Sequence, residues 1–363
     1  MKNEMYPYFL SEDEFISFWK EYFKNNPDKK KDYLTLYLHY PWCNSICKFC
    51  VFGQYNYHSA KDIINGYEKR TIYMINKLNK LFDDLDIAPS ELYLGGGTAS
   101  LWTLETLENI KKSLNIYDNI KLKNIEIHPS DLTDEKIDFY INKMKFERVS
   151  IGIQTFDINA LINQHRIPSD VNKLRNAVRK FQKNGIEVNI DIIAMINGDE
   201  DNNWEVFLND LEILVTDIKP DSIYCGPNFK SENYYEISIM LREKLIKFLN
   251  IHNECMISND FMLSLNYKDI ILFRDNPYVL YLNKEMIDEK ANKDDEITIG
   301  IGGINNFNAI SKTPNGHYIE CRYIAFDNEF VYYNKHNMEN SNNPYETAVR
   351  IGSCKIKPPK III

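Results

Sequence analysis

Six short β-branched and aromatic runs recur through the first two thirds of the chain, and their alternation with helical stretches constrains the fold more than any other feature. The runs are "LTLYLHY" from Leu34, "ELYLGGG" from Glu91, "NIEIHP" from Asn124, "ERVSIGIQ" from Glu147, "IEVNIDII" from Ile186 and "DSIYCGP" from Asp221. Segments with apolar residues at helical spacing lie between them, such as "IINGYEKRTIYMINKLNKLF" and "VNKLRNAVRKFQKNG". Strands joined through helices of this length run parallel, because the crossover must return the chain to the same edge. Six units are too few for an eightfold barrel. The expected class is therefore α/β: a partial (β/α)6 parallel barrel or an open sheet, with a smaller C-terminal α+β region. Either form places its chemistry at the C-terminal ends of the strands.

The 363 residues exceed the usual size of one domain. The expected division is a helical extension over residues 1–32, a core domain over 33–230 and a substrate-side domain over 231–363. In the last part "EITIGIGGINNF" and "GHYIECRYIAF" are the most β-like segments. Hydrophobic residues make up 44% and charged residues 26%, which allows a sizeable core and argues against disorder. The formal charge of -9 gives no footprint for a nucleic-acid backbone, and "DKKKD", residues 28–32, reads as a solvated face. The opening "MKNEMYPYFLSEDEF" is too acidic for a signal peptide, and no segment approaches the roughly 20 apolar residues of a membrane span. A cytoplasmic monomer that binds neither membrane nor nucleic acid is the expectation. Thiols are kept reduced there, so clustered cysteines point to metal or redox chemistry rather than a disulfide.

Unusual residues do gather at the strand ends: "HYPWC", "GGGT", "EIHP", "GIQ", "NIDII" and "YCGP". The first leads into "CNSICKFC", which holds Cys43, Cys47 and Cys50 within eight positions, while the remaining four cysteines are scattered singly. Structural zinc sites take four protein ligands, commonly from two distant C-x-x-C hooks. Three thiolates in one loop suit a cubane iron-sulfur cluster with one iron left open, although a zinc site with a distant fourth ligand uses the same residues. The glycines of "YLGGGT" let backbone N–H groups approach a bound group, and they also suit a plain strand-to-helix turn. Asp191, in the middle of "VNIDIIAMI", is costly without a partner. His39 and His128 read as hydrogen-bonded wall residues and Trp42 and Trp102 as core.

The spacing C-x3-C-x2-C, with Phe49 before the last cysteine, closely resembles the signature of the radical S-adenosylmethionine (SAM) superfamily. Within it, the chain resembles the branch of oxygen-independent coproporphyrinogen III oxidase, which includes haem chaperone-like proteins and class C radical SAM methyltransferases. The resemblance runs from "YLHYPWCNSICKFC" through "LGGGTASL", "IEIHPSDLTDEKIDFY", "ERVSIGIQTFD", "NQHRI" and "VNIDII" to "SIYCGP", roughly residues 34–227. It implies a 4Fe-4S cluster on Cys43, Cys47 and Cys50, with SAM on the open iron cleaved to a 5'-deoxyadenosyl radical. It also implies two SAM molecules side by side, and an electron donor such as flavodoxin or ferredoxin. Gly96, Gly97 and Thr98 resemble the glycine motif that holds the amino end of SAM, and Tyr37 and Glu126 would contact the first SAM. Phe49, Gly97, Thr98, Gln154, Arg166 and Asp191 would contact the second, with Cys225 joining through its backbone.

Some family features are absent. Ala99 follows Thr98 where the branch has proline, "AMINGDEDN" stands in place of "GLPGQ", and Val51-Phe52 replaces the further cysteine of the oxidases. "CRYIAFDN" does not reproduce the chaperones' histidine-asparagine-aromatic motif. The retained two-SAM residues then imply a radical transferase that moves a methyl or larger SAM-derived group to an unreactive carbon of a small, flat substrate. A coproporphyrinogen oxidase-like oxidoreductase or a haem chaperone-like protein is the alternative.

Overall fold

The structure is a computed structural model, and it describes residues 12–31, 33–50, 55–59, 61–197, 203–228, 231, 234–252, 256–257, 278–281, 296–301, 309–312 and 318–321. Each of the six runs forms a strand: β1 (Tyr33–Tyr40), β2 (Glu91–Gly96), β3 (Leu122–Ile127), β4 (Arg148–Gln154), β5 (Glu187–Ala194) and β6 (Ser222–Pro227). They pair in parallel and in chain order, each with the next. The expected parallel sheet is observed. Of the strands from the chain beyond residue 230, β7 (Tyr278–Tyr281) lies antiparallel on β6 with the short strand Met256–Ile257 on its far side, and β8 (Glu296–Ile301) lies parallel on β1. That segment therefore extends both edges of the same sheet.

The helices are α1 (Glu12–Asn25), α2 (Lys61–Leu85), α3 (Leu104–Ser113), α4 (Asp134–Phe139), α5 (Ile158–Asn163), α6 (Val171–Lys183), α7 (Asn203–Ile213) and α8 (Tyr234–Ile251). None of the described helices is long and apolar enough to cross a membrane. Alternate strand residues, among them Leu36 and Leu38 of β1, Leu92 and Leu94 of β2, Val149 and Ile151 of β4, and Ile190 and Ile192 of β5, are wholly buried in one core that also takes the apolar faces of the helices. Side chains of this kind stabilise the fold by roughly 1.5–3 kcal/mol each on burial. Trp42 and Trp102 belong to this core, where they pack with Tyr67 and Tyr40 at centroid distances of 4.7 and 4.4 Å.

Helix α6 shows how local sequence sets an element. Leu174, Ala177, Val178 and Phe181 fall at i, i+3, i+4 and i+7 and are the buried stripe. Asp170 starts the helix by accepting the backbone N–H groups of Asn172 and Lys173 at 2.8 and 3.2 Å, and Gly185 leaves it with a left-handed φ of +74°. Asp170→Ala removes the acceptor for both groups. The expected cost is about 1 kcal/mol of stability, read as a lower urea midpoint with an unchanged slope; an unchanged midpoint would show that the cap contributes nothing.

Candidate functional site

Strand side chains alternate between faces, so the residues between the outward Leu, Ile and Val positions point the other way. Most are polar. Tyr93 and Gly96 of β2, Asn124 and Glu126 of β3, Arg148, Ser150, Gly152 and Gln154 of β4, Asn189, Asp191 and Ile193 of β5, and Tyr224 and Gly226 of β6 line one cavity of about 360 Å³. One cavity wall drawn from five successive strands means that the sheet curls around it, as a partial barrel does. The loop after β1 closes the mouth with Cys43, Cys47, Phe49 and Cys50.

Two glycines fix that loop. Gly96 has a φ of +120°, and a Cβ there would lie 2.5 Å from Nδ1 of His39 and 2.7 Å from the Tyr40 carbonyl. Only glycine fits. The Gly97 N–H donates to the Tyr40 carbonyl at 2.7 Å, and a Cβ on Gly97 would reach the Cys43 sulfur and the Pro41 carbonyl, each at 2.9 Å. The loop thus rests directly on the glycine backbone. At its other end the Lys48 N–H donates to the Gln164 carbonyl at 3.0 Å, while Cys47 and Phe49 pack with Ala160 and Ile196. Burial pushes the Cys43 thiol up to about 12, with the Thr98 hydroxyl acting against it.

Arg166 spans loop and sheet. It donates through Nη1 to the Cys47 sulfur at 3.6 Å and through Nη2 to the Gly152 carbonyl, and its guanidinium lies 5.9 Å from the Phe49 ring centroid. Gln154 ends β4 at a left-handed φ of +70°, where the register against β5 shifts between Gly152 and Gln154. A non-glycine residue held there is strained, and such strain concentrates at functional positions. Glu126 accepts the Tyr93 hydroxyl at 2.7 Å and the Gly96 N–H at 3.0 Å. Desolvation nevertheless raises its carboxyl to about 7, against the pull of those two bonds and with help from the Asp191 charge. Asp191 is raised by desolvation too, opposed by its bond to Asn189 and by the charges of Arg148 and Arg166. Both acids are half-buried, deep in the molecule yet facing the cavity.

The structure brings Cys43, Cys47, Cys50, Phe49, Gly96, Gly97, Thr98, Glu126, Gln154, Arg166 and Asp191 to the wall of this one cavity. Tyr37 and Cys225 stand apart. The Tyr37 hydroxyl shares a 3.1 Å hydrogen bond with His39 Nδ1 and its ring packs on Tyr93 at 5.7 Å, one layer behind the wall. Cys225 is wholly buried in the outer core, while its neighbours Tyr224 and Gly226 face the cavity. His128 is part of the wall, and its Nδ1 accepts the Ser130 N–H at 3.1 Å, as a wall histidine should. Burial lowers both His39 and His128 to about 3, so both are neutral. Sequence reasoning passed over Tyr93, Asn124, Arg148, Ser150, Asn189 and Tyr224. Their signal was present: each is a polar residue at the alternate position of an otherwise apolar strand.

The residues also fit an iron-sulfur cluster. The three thiols lie round the cavity mouth, with the Cys43 sulfur against Gly97 where a Cβ would meet it. Among the described residues no three ligating side chains converge on one point as a single metal ion requires, whereas a cubane takes each thiolate on a different iron.

Residues 37–211 match the radical SAM superfamily. That match spans just under half of the chain and takes in the cysteine loop and strands β2 to β5. Two curated relatives are the heme chaperone HemW of Buchnera aphidicola, 30% identical over 57% of this chain and 51% of its own length, and the oxygen-independent coproporphyrinogen-III oxidase-like protein HemZ of Bacillus subtilis, 23% identical over 51% and 38%. The chain therefore spans about half the length of these relatives or less. Coproporphyrinogen III oxidase of Escherichia coli, described as a radical SAM enzyme, superposes with a TM-score of 0.60 at 19% identity, covering 86% of this chain and 72% of that one. This likeness establishes the shared fold.

Two outcomes follow from this geometry. Gly97→Ala forces a Cβ against the Cys43 sulfur and the Pro41 carbonyl. The expected result after anaerobic reconstitution is a folded protein holding less than half the wild-type iron; wild-type iron would show that the loop can yield. Glu126 titrates near 4.5 when unfolded and about 7 when folded. Between those values the folded state holds a proton that the unfolded state has released, so rising pH removes stability across that window. Glu126→Gln lacks this term. Its unfolding free energy should match the wild type near pH 4 and exceed it at pH 8, by up to roughly 3 kcal/mol; parallel curves would refute the buried-acid assignment.

Proposed function

We propose that the chain is a radical SAM enzyme that binds SAM between the cysteine loop and the ends of β2 to β5, and directs the radical to a small substrate entering the same cavity. The observation that carries this reading is the meeting of the three cysteines with Glu126, Gln154, Arg166 and Asp191 in one cavity wall. When bound, a 4Fe-4S cluster and SAM supply reductive cleavage of the sulfonium to a carbon radical that abstracts hydrogen.

The protein's own contribution is placement and shielding. Cys43, Cys47 and Cys50 would hold the irons. Gly96 and Gly97 keep side chains away from the mouth so that backbone groups can approach a bound amino acid moiety. Arg166 retains free N–H groups for a carboxylate after bonding Gly152 and Cys47. Asp191 is placed to accept hydroxyl groups of a ribose. Glu126, raised by burial, can hold or release a proton near neutral pH. Enclosure by five strands keeps bulk water from the reacting carbon.

For the outcome of the reaction, the names of the curated relatives favour porphyrin-related chemistry, either oxidation of a coproporphyrinogen-type substrate or haem binding. The transferase reading stands second. It is favoured by the six residues that the resemblance gives to a second SAM, all of which line the cavity with the cysteines. A small ferredoxin- or flavodoxin-like protein is the proposed electron donor.

Anaerobic reconstitution should give about four irons per chain, and reduction with SAM should give 5'-deoxyadenosine. Absence of both would end the enzyme reading. Coproporphyrinogen III is then expected to release carbon dioxide, or haem to bind stoichiometrically. Methyl-labelled SAM that delivers label to product, with neither of those results, would put the transferase reading first.

A further inference from the structure

Behind Asp191 the cavity wall contains a relay of two neutral polar side chains. Ser222, wholly buried, donates its hydroxyl to Oδ1 of Asn189 at 2.8 Å, and Asn189 donates Nδ2–H to Oδ1 of Asp191 at 2.6 Å. Backbone pairing sets this up: Asn189 and Ser222 are register partners on β5 and β6, and Asp191 follows Asn189 two residues on, on the same face. The chemistry leaves one orientation. A carboxylate only accepts, so the amide must turn its NH2 towards Asp191, and its carbonyl then faces the serine hydroxyl.

The other carboxylate oxygen, Oδ2, has no hydrogen bond among the described residues. It looks across to Gly152, where a Cβ would lie 3.8 Å from Oδ2, 2.8 Å from Gln154 Nε2 and 3.4 Å from Arg166 Nη2. Missing that side chain, β4 leaves a gap into which Oδ2, Gln154 and Arg166 all point. An acceptor beside two donors suits a group that offers hydroxyls. Arg148 and Arg166 sit within electrostatic reach of Asp191, and Tyr93, Glu126 and Cys225 feel its charge.

We propose that Asn189, backed by Ser222, is a positioning residue that locks the Asp191 carboxylate with Oδ2 turned to the cavity, and so makes the site selective for a ligand carrying a vicinal diol of the ribose type. This rests on the reading that Asp191 meets SAM. A tie that merely held β5 to β6 would affect folding and all ligands equally. The relay instead acts on the diol alone.

The test is equilibrium binding to the anaerobically reconstituted full chain of SAM and of a SAM analogue whose ribose lacks both hydroxyls. The wild type should prefer SAM. In Asn189→Leu the affinity for SAM should fall about tenfold, the worth of one hydrogen bond to a charged group, while that for the analogue is unchanged, so the preference disappears. Ser222→Ala should show a smaller loss in the same direction, and Ser222→Thr, which keeps the hydroxyl, should restore it. Should Asn189→Leu fail to fold, the serine pair decides. Equal loss of both ligands, or a preference that survives in the Asn189 and Ser222 variants, overturns the proposal. Asp191→Asn separates the two readings: if it keeps the wild-type preference, Asp191 does not meet the ribose and both fall. If it loses the preference while the Asn189 and Ser222 variants keep it, only the positioning role falls.

Discussion

The structure depends on a sheet whose two faces face different media. On the outer face Leu, Ile and Val side chains are sealed under helices; on the inner face their sequence neighbours meet a cavity. A strand has no freedom to trade these, because a slip of one residue exchanges every side chain between faces. In β5 such a slip would drive Asn189 and Asp191 into the helix layer and leave Ile190 and Ile192 in the cavity. The cost of burying a carboxylate without partners far exceeds that of one lost ladder bond. Register and site are therefore specified together, and the parallel pairings from β1 to β6 place the chemistry-bearing ends at one mouth.

Most of this was legible in the sequence because parallel strands sealed by helices leave dense apolar runs at regular intervals. The six runs and the strand-end residues are local patterns, and each run became a strand with at least one of its unusual residues at the cavity. The second layer was harder to see. Arg148, Asn189 and Tyr93 are single polar residues inside apolar runs, and each could be a tolerated partner in a sheet; only the curl of the sheet brings them to a common space. Cys225 shows the converse. The resemblance gives it a contact through its backbone alone, and alternation does turn its side chain into the core while Tyr224 and Gly226 face the cavity. The joining of β7 and β8 to opposite edges depends on contacts distant in sequence, which periodicity does not encode.

The glycine triplet has a role that its ambiguity in sequence concealed. A strand-to-helix turn needs one permissive residue; here two successive glycines do separate things. Gly96 supplies a conformation closed to other residues beside His39, and Gly97 supplies the surface on which Cys43 lies. Among its described residues the loop of cysteines carries little regular structure of its own, with Trp42–Cys43 and Tyr55–Asn56 as its short paired segments. Its shape is imposed from below.

Arg166 completes that dependence. It lies more than a hundred residues from Cys47 in sequence, yet one guanidinium reaches the Cys47 sulfur, faces the Phe49 ring and holds the Gly152 carbonyl. Its planar fork makes these contacts at fixed relative angles, which a lysine ammonium could not do. Gly152 is also the residue whose missing side chain opens the space before Asp191. A shift of the cysteine loop would therefore move the arginine against the strand that borders the acid. The loop and the strand ends act as one unit, and the arrangement that brings the three thiols together is the one that turns Gln154, Arg166 and Asp191 to the cavity.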